Sequence, residues 1–523
     1  MKRLLPFFAA VICYFPSSGQ TSLTWTDDIA CIIYSHCTSC HNPNGAGHFP
    51  LTDYSNAVAV GSALGAAVGS GQMPPWPPNE DYQSYAHERL LSDDERNAIV
   101  EWVNNGMPSG DLSQAPAPPT YSNTSALGQV DLTVRMPDYT LPTMTEDEYR
   151  CFVLDLNLTQ DEWITGIEVI PGNTNIVHHV LVFSDDTQTP VNLDAQDPGP
   201  GYTNFGGTGS NASELISAWV PGSDPVLLPA GMGFPLNPNS RLVIQVHYPL
   251  GSTGILDSTR INVKLSPTPL RTVSFDPLLN HVTSMQNGWL QLAPNEVKTF
   301  HQKYVIPNWA GNRTFLSVAP HAHLICEAMW AFAVKPNGDT IPLIDIPNWD
   351  FKWQGQYNFR SPMKLPAGTE LHGYARYNNT ASNPNNPSNP PVQVNLGDAT
   401  TDEMMLFYFA YLPYQTGDEA IVIDGTLHTP HFNNCQPATV DLPEIEWLDL
   451  AFYPNPVTDR IFWKDASARE GQYEIVRANG QVIQKGEFDA TKGIDVSGLA
   501  AGSYWIVLKE ANNRQYTGPI TVL

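Results

Sequence analysis

The chain has 523 residues, enough for three or four domains of ordinary size. A formal net charge of −26 makes nucleic acids and anionic membrane surfaces poor partners. The 46 prolines and 38 glycines favour a mainly β fold with many turns over a bundle of helices.

Export is indicated by the first twenty residues. Lys2 and Arg3 precede an apolar run over residues 4–15, and small polar residues follow, which predicts a signal peptide over residues 1–20. No later apolar run is long enough to cross a bilayer, so we expect no membrane span in the mature chain. An exported chain can form disulfides, but the pairing of its cysteines does not follow from their spacing.

A haem-attachment motif comes early in the mature chain. Cys37-Thr38-Ser39-Cys40-His41 matches the Cys-x-x-Cys-His pattern, in which two thiols bind the haem vinyl groups and the imidazole binds the iron. A thioredoxin-like pair does not need the histidine, and a zinc site would need a second Cys/His pair nearby. The motif therefore predicts covalently bound haem c held by Cys37, Cys40 and His41.

The sixth iron ligand should be a thioether or an imidazole. Met73, on the proline-rich loop Met73-Pro74-Pro75-Trp76, is the better candidate, and Met107 is the alternative. Ser92 with Glu95 predicts the start of a helix that runs to about Asn105. Residues 21–110 resemble a small, all-α class I cytochrome c, in which Met73 would match the ligand of one bacterial subgroup.

Residues 111–128 are rich in proline, serine and asparagine and predict a linker. Short β runs separated by turns follow from about residue 130. His178 and His179 lie in one of these runs, and His247 lies in another. Adjacent residues of a strand face opposite sides, so His178 and His179 can share a metal only at a bulge or a strand end. With His247 they could close around one metal.

A second histidine pair lies in the apolar run over residues 315–332, which reads as a strand. Residues two apart on a strand share a face, so His321 and His323 could present two imidazoles side by side. Met404 opens a later strand and could add a thioether. Two imidazoles with a thioether form a soft ligand set that favours Cu(I).

The order of these motifs makes a family resemblance visible. The matching segments are residues 131–137, 177–179, 227–234, 245–248, His321-x-His323 and 402–404. Residues 129–440 thus resemble the copper type II, ascorbate-dependent monooxygenases, the family of peptidylglycine α-hydroxylating monooxygenase and dopamine β-monooxygenase. The resemblance implies two antiparallel jelly-roll-like β-sandwiches, over residues 129–268 and 269–440.

The resemblance also implies two copper ions. His178, His179 and His247 would hold the electron-transfer copper, and His321, His323 and Met404 would hold the copper that binds O2. Tyr408 matches a family tyrosine that contacts the substrate, and ascorbate would serve as a reductant. The catalytic set is then His321, His323, Met404 and Tyr408, acting on O2 and a small-molecule or peptide substrate.

This sequence departs from the family at two kinds of position. Ala319 and Leu406 stand where the peptide-hydroxylating member has an arginine and an asparagine that bind a carboxylate, so we expect a less charged substrate. Cys151 matches a half-cystine of the family, but its partner position holds Ser258, so that disulfide should be absent. Cys326 with Cys435 is the best candidate for a replacement.

The end of the chain has a third signature. Tyr453-Pro454-Asn455-Pro456 and the segment over residues 499–504 resemble the C-terminal sorting domain of the Bacteroidetes type IX secretion system. The resemblance implies an Ig-like β-sandwich over residues 447–523 and passage through the periplasm by the type IX machinery. The protein would then be secreted or displayed at the cell surface.

Together the motifs predict a secreted copper-dependent monooxygenase that hydroxylates a C–H bond with O2. A fused c-type haem would relay electrons from an external donor. The alternative is a non-catalytic cell-surface protein that carries electrons or binds copper. An adhesion or carbohydrate-binding protein built from β-sandwiches would hold no redox metal.

Overall fold

The computed structural model describes residues 23–43, 45–119, 125–423, 446–463, 470–477, 482–509 and 514–523. The fold is mainly β, as predicted, and the chain divides into two compact units, residues 1–434 and 435–523. The expected signal peptide, part of the expected linker and Cys435 lie outside the described residues. Within the described part of the chain, no helix is long and apolar enough to cross a membrane.

The N-terminal part is helical. A π-helical turn, Trp25–Ile29, leads into α1 (Ala30–His36), α2 (Tyr54–Ala59), α3 (Gly61–Gly69) and α4 (Asp93–Asn104). Ser92 and Glu95 form a reciprocal capping box that starts α4, because each side chain accepts from the backbone N–H of the other residue. Trp102 of α4 is fully buried, with its ring 5.9 Å from that of Trp25. The predicted helix is therefore confirmed.

The next part is a β-sandwich that also contains one short helix, α5 (Thr189–Gln196). Its strands are β1 (Leu132–Arg135), β2 (Tyr139–Thr140), β3 (Glu148–Asp155), β4 (Glu162–Ile170), β5 (His179–Asp185), β6 (Tyr202–Thr203), β7 (Glu214–Trp219), β8 (Val226–Leu227), β9 (Met232–Leu236), β10 (Arg241–Tyr248), β11 (Leu256–Asp257), β12 (Arg260–Ser266) and β13 (Arg271–Thr272). One sheet has the order β1-β12-β4-β9-β13 with β8 on β4, and the other has the order β6-β3-β10-β5-β7. Strand β10 is central because its Val- and Ile-rich sequence is buried on both faces.

A second β-sandwich follows in the same unit. Its strands are β14 (Ser274–Asn280), β15 (Gln291–Leu292), β16 (Val297–Val305), β17 (Arg313–His321), β18 (Cys326–Val334), β19 (Thr340–Ile346), β20 (Tyr357–Leu365), β21 (Glu370–Asn378), β22 (Val394–Asn395) and β23 (Leu406–Pro413). The two four-stranded sheets have the orders β14-β23-β17-β20 and β16-β21-β18-β19.

The prediction of a single strand over residues 315–332 is wrong. Strand β17 ends at His321, and β18 begins at Cys326 in the opposite sheet. Between them the backbone N–H groups of His323 and Ile325 donate to the buried Glu403 carboxylate, at 2.9 and 2.8 Å. A side chain some eighty residues away therefore replaces a strand partner and lets the chain cross from one sheet to the other.

The C-terminal unit has its own sheets and core. Its strands are β24 (Glu446–Asp449), β25 (Phe452–Tyr453), β26 (Arg460–Trp463), β27 (Glu470–Val476), β28 (Val482–Asp489), β29 (Ile494–Asp495), β30 (Gly502–Lys509) and β31 (Arg514–Val522). The sheet orders are β24-β31-β30-β27-β28 and β25-β26-β29, and Ile475, Ile506 and Leu508 lie fully buried in the core.

The N-terminal helices are joined to the second sandwich by residues 76–89, which we call the docking strap. Tyr85 is 1 % exposed and lies in the core of that sandwich, where its hydroxyl donates to the carbonyl of Leu343 at 2.8 Å. Arg360 of β20 donates to the carbonyl of Tyr85 and pairs with Glu88 at 2.6 Å. The strap thus belongs to the fold of the second sandwich although it precedes both sandwiches in the chain.

Two cysteine expectations have different outcomes. Cys326 is a free, buried cysteine whose thiol donates to the carbonyl of Ala328, so the proposed pairing of Cys326 with Cys435 is wrong. Cys151 is also free, which confirms that the family disulfide is absent. Cys31 is disulfide-bonded.

Asp418 ties the end of β23 to neighbouring strands. Its carboxylate accepts from both terminal nitrogens of Arg271, at 2.7 and 2.8 Å, and from the Thr314 hydroxyl, and these donors lower its pKa from 3.8 to about 2. Such a shift stabilises the folded state by about 2 kcal/mol above pH 4, and this contribution disappears as the pH falls from about 4 to about 2.

We therefore expect Asp418→Asn to lower the free energy of unfolding by about 2 kcal/mol at pH 7. Urea unfolding of the full chain at several pH values measures this. The variant should also lose the part of the wild-type pH dependence that falls between pH 4 and 2. Asp276→Asn, on an exposed strand position, serves as the control. Equal pH profiles of wild type and Asp418→Asn would contradict the assignment.

Candidate metal sites

The first histidine cluster lies where β5 begins. His179 is the first residue of β5 and stands directly opposite His247 of β10 in the strand register. His178 precedes the strand, and its backbone N–H donates to the carbonyl of His247 at 2.9 Å. Because the regular strand starts only at His179, both adjacent imidazoles can turn towards His247, as the strand-end hypothesis predicted.

The three rings converge through their Nδ1 atoms. The Nδ1 of His179 lies 3.2 Å from that of His178 and 3.4 Å from that of His247, and the three ligand atoms all lie within 4.8 Å of one another. Burial lowers the pKa of His178 to about 4 and holds that of His179 well below its usual value. His178 and His179 are therefore neutral at physiological pH, and neutral imidazoles are suited to bind copper, zinc or iron.

An acidic residue supports this cluster from outside. The Nε2 of His247 lies 3.0 Å from Oδ2 of Asp147, and this contact with the imidazole lowers the pKa of Asp147. The other oxygen of Asp147 accepts from the backbone N–H of Leu250 at 2.9 Å. Such a carboxylate fixes the tautomer that leaves Nδ1 free for a metal.

We expect Asp147→Ala to weaken copper binding at this cluster by about 10- to 100-fold, because His247 loses the partner that orients it. Competition titration with a Cu(I) chelator measures the affinity. Asp138→Ala serves as the control, since Asp138 is exposed and pairs only with Arg135. An unchanged affinity in Asp147→Ala would show that Asp147 does not orient His247.

The second histidine pair lies at the crossover between β17 and β18. The rings of His321 and His323 are 5.2 Å apart and perpendicular. The Nδ1 of His321 contacts Oε1 of Gln354, and the Nδ1 of His323 lies 3.1 Å from the carbonyl oxygen of Asp402. Both acceptors select the tautomer with Nδ1 protonated and Nε2 free. Burial lowers the pKa of His321 to about 3 and of His323 to about 4, so both rings are neutral ligands.

Glu403 connects this pair to Met404. Its Oε2 accepts from the backbone N–H groups of His323 and Met404, at 2.9 and 3.3 Å, and its Oε1 accepts from Ile325. The Tyr377 hydroxyl also donates to the carbonyl of Met404, at 2.6 Å. The structure thus brings the half-buried Met404 next to the His321–His323 segment through backbone contacts.

Tyr408 shares a sheet face with this second site. In the pairing of β17 with β23, His321 stands opposite Leu406, and Ala319 stands opposite Tyr408. The ring of Tyr408 stacks on Phe275 at 5.5 Å, and burial together with the charge of Asp398 raises its pKa to about 12. The face beside the second site is therefore apolar and aromatic, with a carboxylate close to it.

The haem-attachment motif lies on the turn after α1. The backbone N–H of His41 donates to the carbonyl of Cys37, and the Nδ1 of His41 lies 2.9 Å from the carbonyl of Phe49. That acceptor leaves Nε2 free for iron. Gly47 packs against the ring so closely that a Cβ would lie 2.6 Å from Nδ1. These features fit an axial histidine, and Cys37 and Cys40 are both free.

Met73 and Met107 occupy different surroundings. Met73 is half-buried on the loop after α3, and its backbone N–H donates to the carbonyl of Ala67 at 3.1 Å. The thioether of Met107 instead packs directly against Gly61, at the start of α3. Met107 is therefore a packing residue, and Met73 stays the better candidate for an iron ligand.

A cavity lies where the helical part meets both sandwiches. Trp76, Arg89, Gly222 and Gln354 are among the residues that line it. A Cβ on Gly222 would lie 3.4 Å from the Sγ of Cys40, and Gln354 contacts His321. The cavity wall therefore runs from the haem-attachment motif to the second histidine pair.

Sequence reasoning missed four residues that shape these sites: Asp147, Phe351, Gln354 and Glu403. Glu403 was part of a matched segment, but a glutamate beside a ligand carries no signal that it is buried. Phe351 and Gln354 lie in a loop without periodicity. Asp147, in an acidic surface stretch, resembles an ordinary solvated residue.

Two family models match parts of the chain. Residues 132–250 match the N-terminal domain of the copper type II ascorbate-dependent monooxygenases, and residues 451–522 match a secretion system C-terminal sorting domain. The matched range contains His178, His179 and His247. Residues 132–250 are thus similar to a domain of a copper- and ascorbate-dependent family, and the sorting domain makes this a secreted or cell-surface protein.

Solved structures add nothing to this. The β-glucuronidase of Faecalibacterium prausnitzii is 13 % identical, with 50 % of this chain and 41 % of that chain covered and a TM-score of 0.12. A Ruminococcus gnavus β-glucuronidase with uronic isofagomine is 12 % identical, with 44 % and 35 % covered and a TM-score of 0.11. The chain spans less than half the length of either, and such scores carry no argument. No match was found among curated proteins.

Proposed function

We propose that this protein is a secreted monooxygenase that hydroxylates a C–H bond of an organic substrate with O2. One copper would bind at His178, His179 and His247, and a second would bind at His321, His323 and Met404. The observation that carries the proposal is that two separate groups of buried or half-buried histidines lie in one compact unit. Hydrogen-bond acceptors beside His247, His321 and His323 leave one ring nitrogen of each free for a metal.

The overall reaction consumes the substrate, O2, two electrons and two protons, and yields an alcohol and water. Copper bound at the two sites would supply the electron transfer and the oxygen activation that this reaction needs. Burial keeps the rings of His178 and His321 neutral. The ring N–H groups of His247, His321 and His323 donate to Asp147, Gln354 and the Asp402 carbonyl, and these hydrogen bonds hold the rings in place.

The substrate should carry no carboxylate at the contact with Tyr408. Ala319 and Leu406 supply no hydrogen-bond donor from their side chains on that face, and Asp398 would repel an anion. A C-terminal peptide of the type that the family's peptide-hydroxylating member uses is therefore disfavoured. Neutral or cationic small molecules, with an apolar part against the half-buried Tyr408, fit the face better.

We further propose that residues 21–110 carry a c-type haem held by Cys37, Cys40, His41 and Met73. The haem would relay electrons from an external donor, with ascorbate as one candidate. The support is the turn geometry at His41, the close packing of Gly47 on the His41 ring and the cavity wall that extends from Cys40 to Gln354. Loss of the haem absorption band in Cys40→Ala would support haem attachment. Unchanged copper reduction in Met73→Ala would contradict the electron relay without bearing on attachment.

The proposed organisation has a signal peptide over residues 1–20 and a linker over residues 111–128. The copper sandwiches would cover residues 129–268 and 269–440, and the sorting domain residues 447–523. Type IX machinery would then export a chain that has acquired its metals in the periplasm.

The test is metal analysis and oxygen uptake of the full chain. We expect two coppers and one haem per chain, and ascorbate-driven O2 consumption that rises with a neutral or amine substrate from a panel and yields its alcohol. Copper binding without substrate-dependent O2 uptake would instead favour a non-catalytic electron carrier. Absence of copper would contradict the monooxygenase.

A further inference from the structure

A loop between β19 and β20, residues 347–356, touches both histidine clusters, and we call it the bridging loop. The ring of Phe351 stacks on His178 with centroids 5.3 Å apart and planes inclined by 23°. The same ring meets His323 edge to face, with centroids 5.9 Å apart and planes inclined by 89°. One side chain of the second sandwich therefore contacts one proposed ligand of each copper.

Gln354 fixes the loop to the second site. Its Nε2 donates to the carbonyl of Phe351 at 2.9 Å, and its Oε1 accepts from the Nδ1 of His321. A single amide therefore closes the turn that carries Phe351 and also selects the tautomer of His321. Movement of Phe351 and reorientation of His321 are coupled through these two hydrogen bonds.

The surroundings explain why this contact restricts both sites. His178 and His179 lie on the first sandwich, whereas His321 and His323 lie on the second. A planar ring packed between rings from both sandwiches admits few alternative positions, because closely packed side chains cannot slide without losing their contacts. Without the Phe351 ring, the two histidine clusters would keep their hydrogen bonds to Asp147, Gln354 and Asp402 but would lose the ring that contacts both of them.

We propose that Phe351 and Gln354 are positioning residues that hold the two copper sites at one fixed separation and orient His321. The inference rests on the proposed function, because it assumes that both clusters bind copper. It goes beyond that function by assigning the spacing of the sites to a loop that contributes no ligand. Substrate and O2 would then meet two sites whose distance does not vary during turnover.

The test uses the full chain loaded with Cu(II) and measures the magnetic dipolar coupling between the two coppers by electron paramagnetic resonance. In the wild type we expect a narrow distribution of separations. Phe351→Ala should broaden it, while the copper content and the hyperfine pattern of the His178 site stay unchanged. Phe332→Ala is the matched control, since Phe332 packs on His372 in the same sandwich.

Gln354 is tested through the spectrum of the second site. Gln354→Ala should alter the hyperfine pattern of the His321 copper and weaken its affinity by about 10- to 100-fold. Gln354→Glu, which keeps an acceptor for Nδ1, should restore both. Gln356→Ala is the control, because Gln356 lies in the same loop but donates to Ser317.

A metal-free measurement accompanies these spectra. In the apo protein, Phe351→Ala should shift the imidazole proton resonances of both His178 and His323, since each loses the ring current of Phe351. Two coppers with the same narrow separation in wild type and Phe351→Ala would overturn the inference. Fewer than two coppers in the wild type would instead contradict the proposed function.

Discussion

We expect Met404→Ile to lower the rate of substrate hydroxylation by more than about 100-fold, because loss of a metal ligand should exceed the 10- to 100-fold cost of losing an outer partner. Isoleucine is close to methionine in volume but offers no sulfur, so the fold should persist. The effect should fall on the second site alone, which Glu403 and Tyr377 join to the Met404 backbone. Copper at His178, His179 and His247 should remain.

The measurement combines turnover with X-ray absorption of the Cu(I) protein, in which the copper–sulfur scattering should disappear. Met329→Ile is the matched control, because Met329 is a fully buried methionine of the same sandwich, in its core. It should keep both the scattering and the activity. If Met404→Ile retained full turnover, the assignment of Met404 to the oxygen-binding site would be wrong.

The second large effect concerns Glu403. We expect Glu403→Leu to lower the free energy of unfolding by at least about 3 kcal/mol, because three buried N–H groups lose their acceptor and each unpaired group costs about 1–3 kcal/mol. Copper should leave the second site at the same time, since the crossover that carries His323 loses its anchor. Urea unfolding and metal analysis measure these two effects.

Glu327→Gln is the control for this prediction. Glu327 follows Cys326 at the start of β18. Its ion pair with Arg376 is partly exposed, and such pairs contribute about 0–1 kcal/mol to the free energy of unfolding. The substitution should leave copper at both sites. If Glu403→Leu bound copper normally and unfolded like the wild type, the carboxylate would not be the anchor of the crossover.

Much of the strand pattern could be predicted from the sequence. The apolar run of β10 and the box of Ser92 with Glu95 each contain their own local signal, and the structure confirms both elements. The condition that His178 and His179 share a site only at a bulge or strand end also came from the sequence, and β5 begins at His179. In these cases the information lies within a few residues of the position concerned.

The rest depends on contacts between distant residues. Nothing in the apolar run over residues 315–332 marks the end of β17 at His321, because the crossover is stabilised by Glu403 from another part of the chain. The role of Phe351 likewise follows only from the packing of two sandwiches against each other. The free thiol of Cys326 shows the same limit, since burial and not spacing decides which cysteines can meet.

The burial of Tyr85 has a consequence for protein engineering. A domain attached by a flexible linker can be exchanged for another electron-transfer domain, provided that the linker is long enough. Here Tyr85 of the N-terminal part is buried in the core of the second sandwich, and Arg360 donates a hydrogen bond to its carbonyl. Deletion of the residues before 111 would therefore leave a cavity in the core of the second sandwich. A substitute electron-donor domain would have to supply a side chain that fills this cavity.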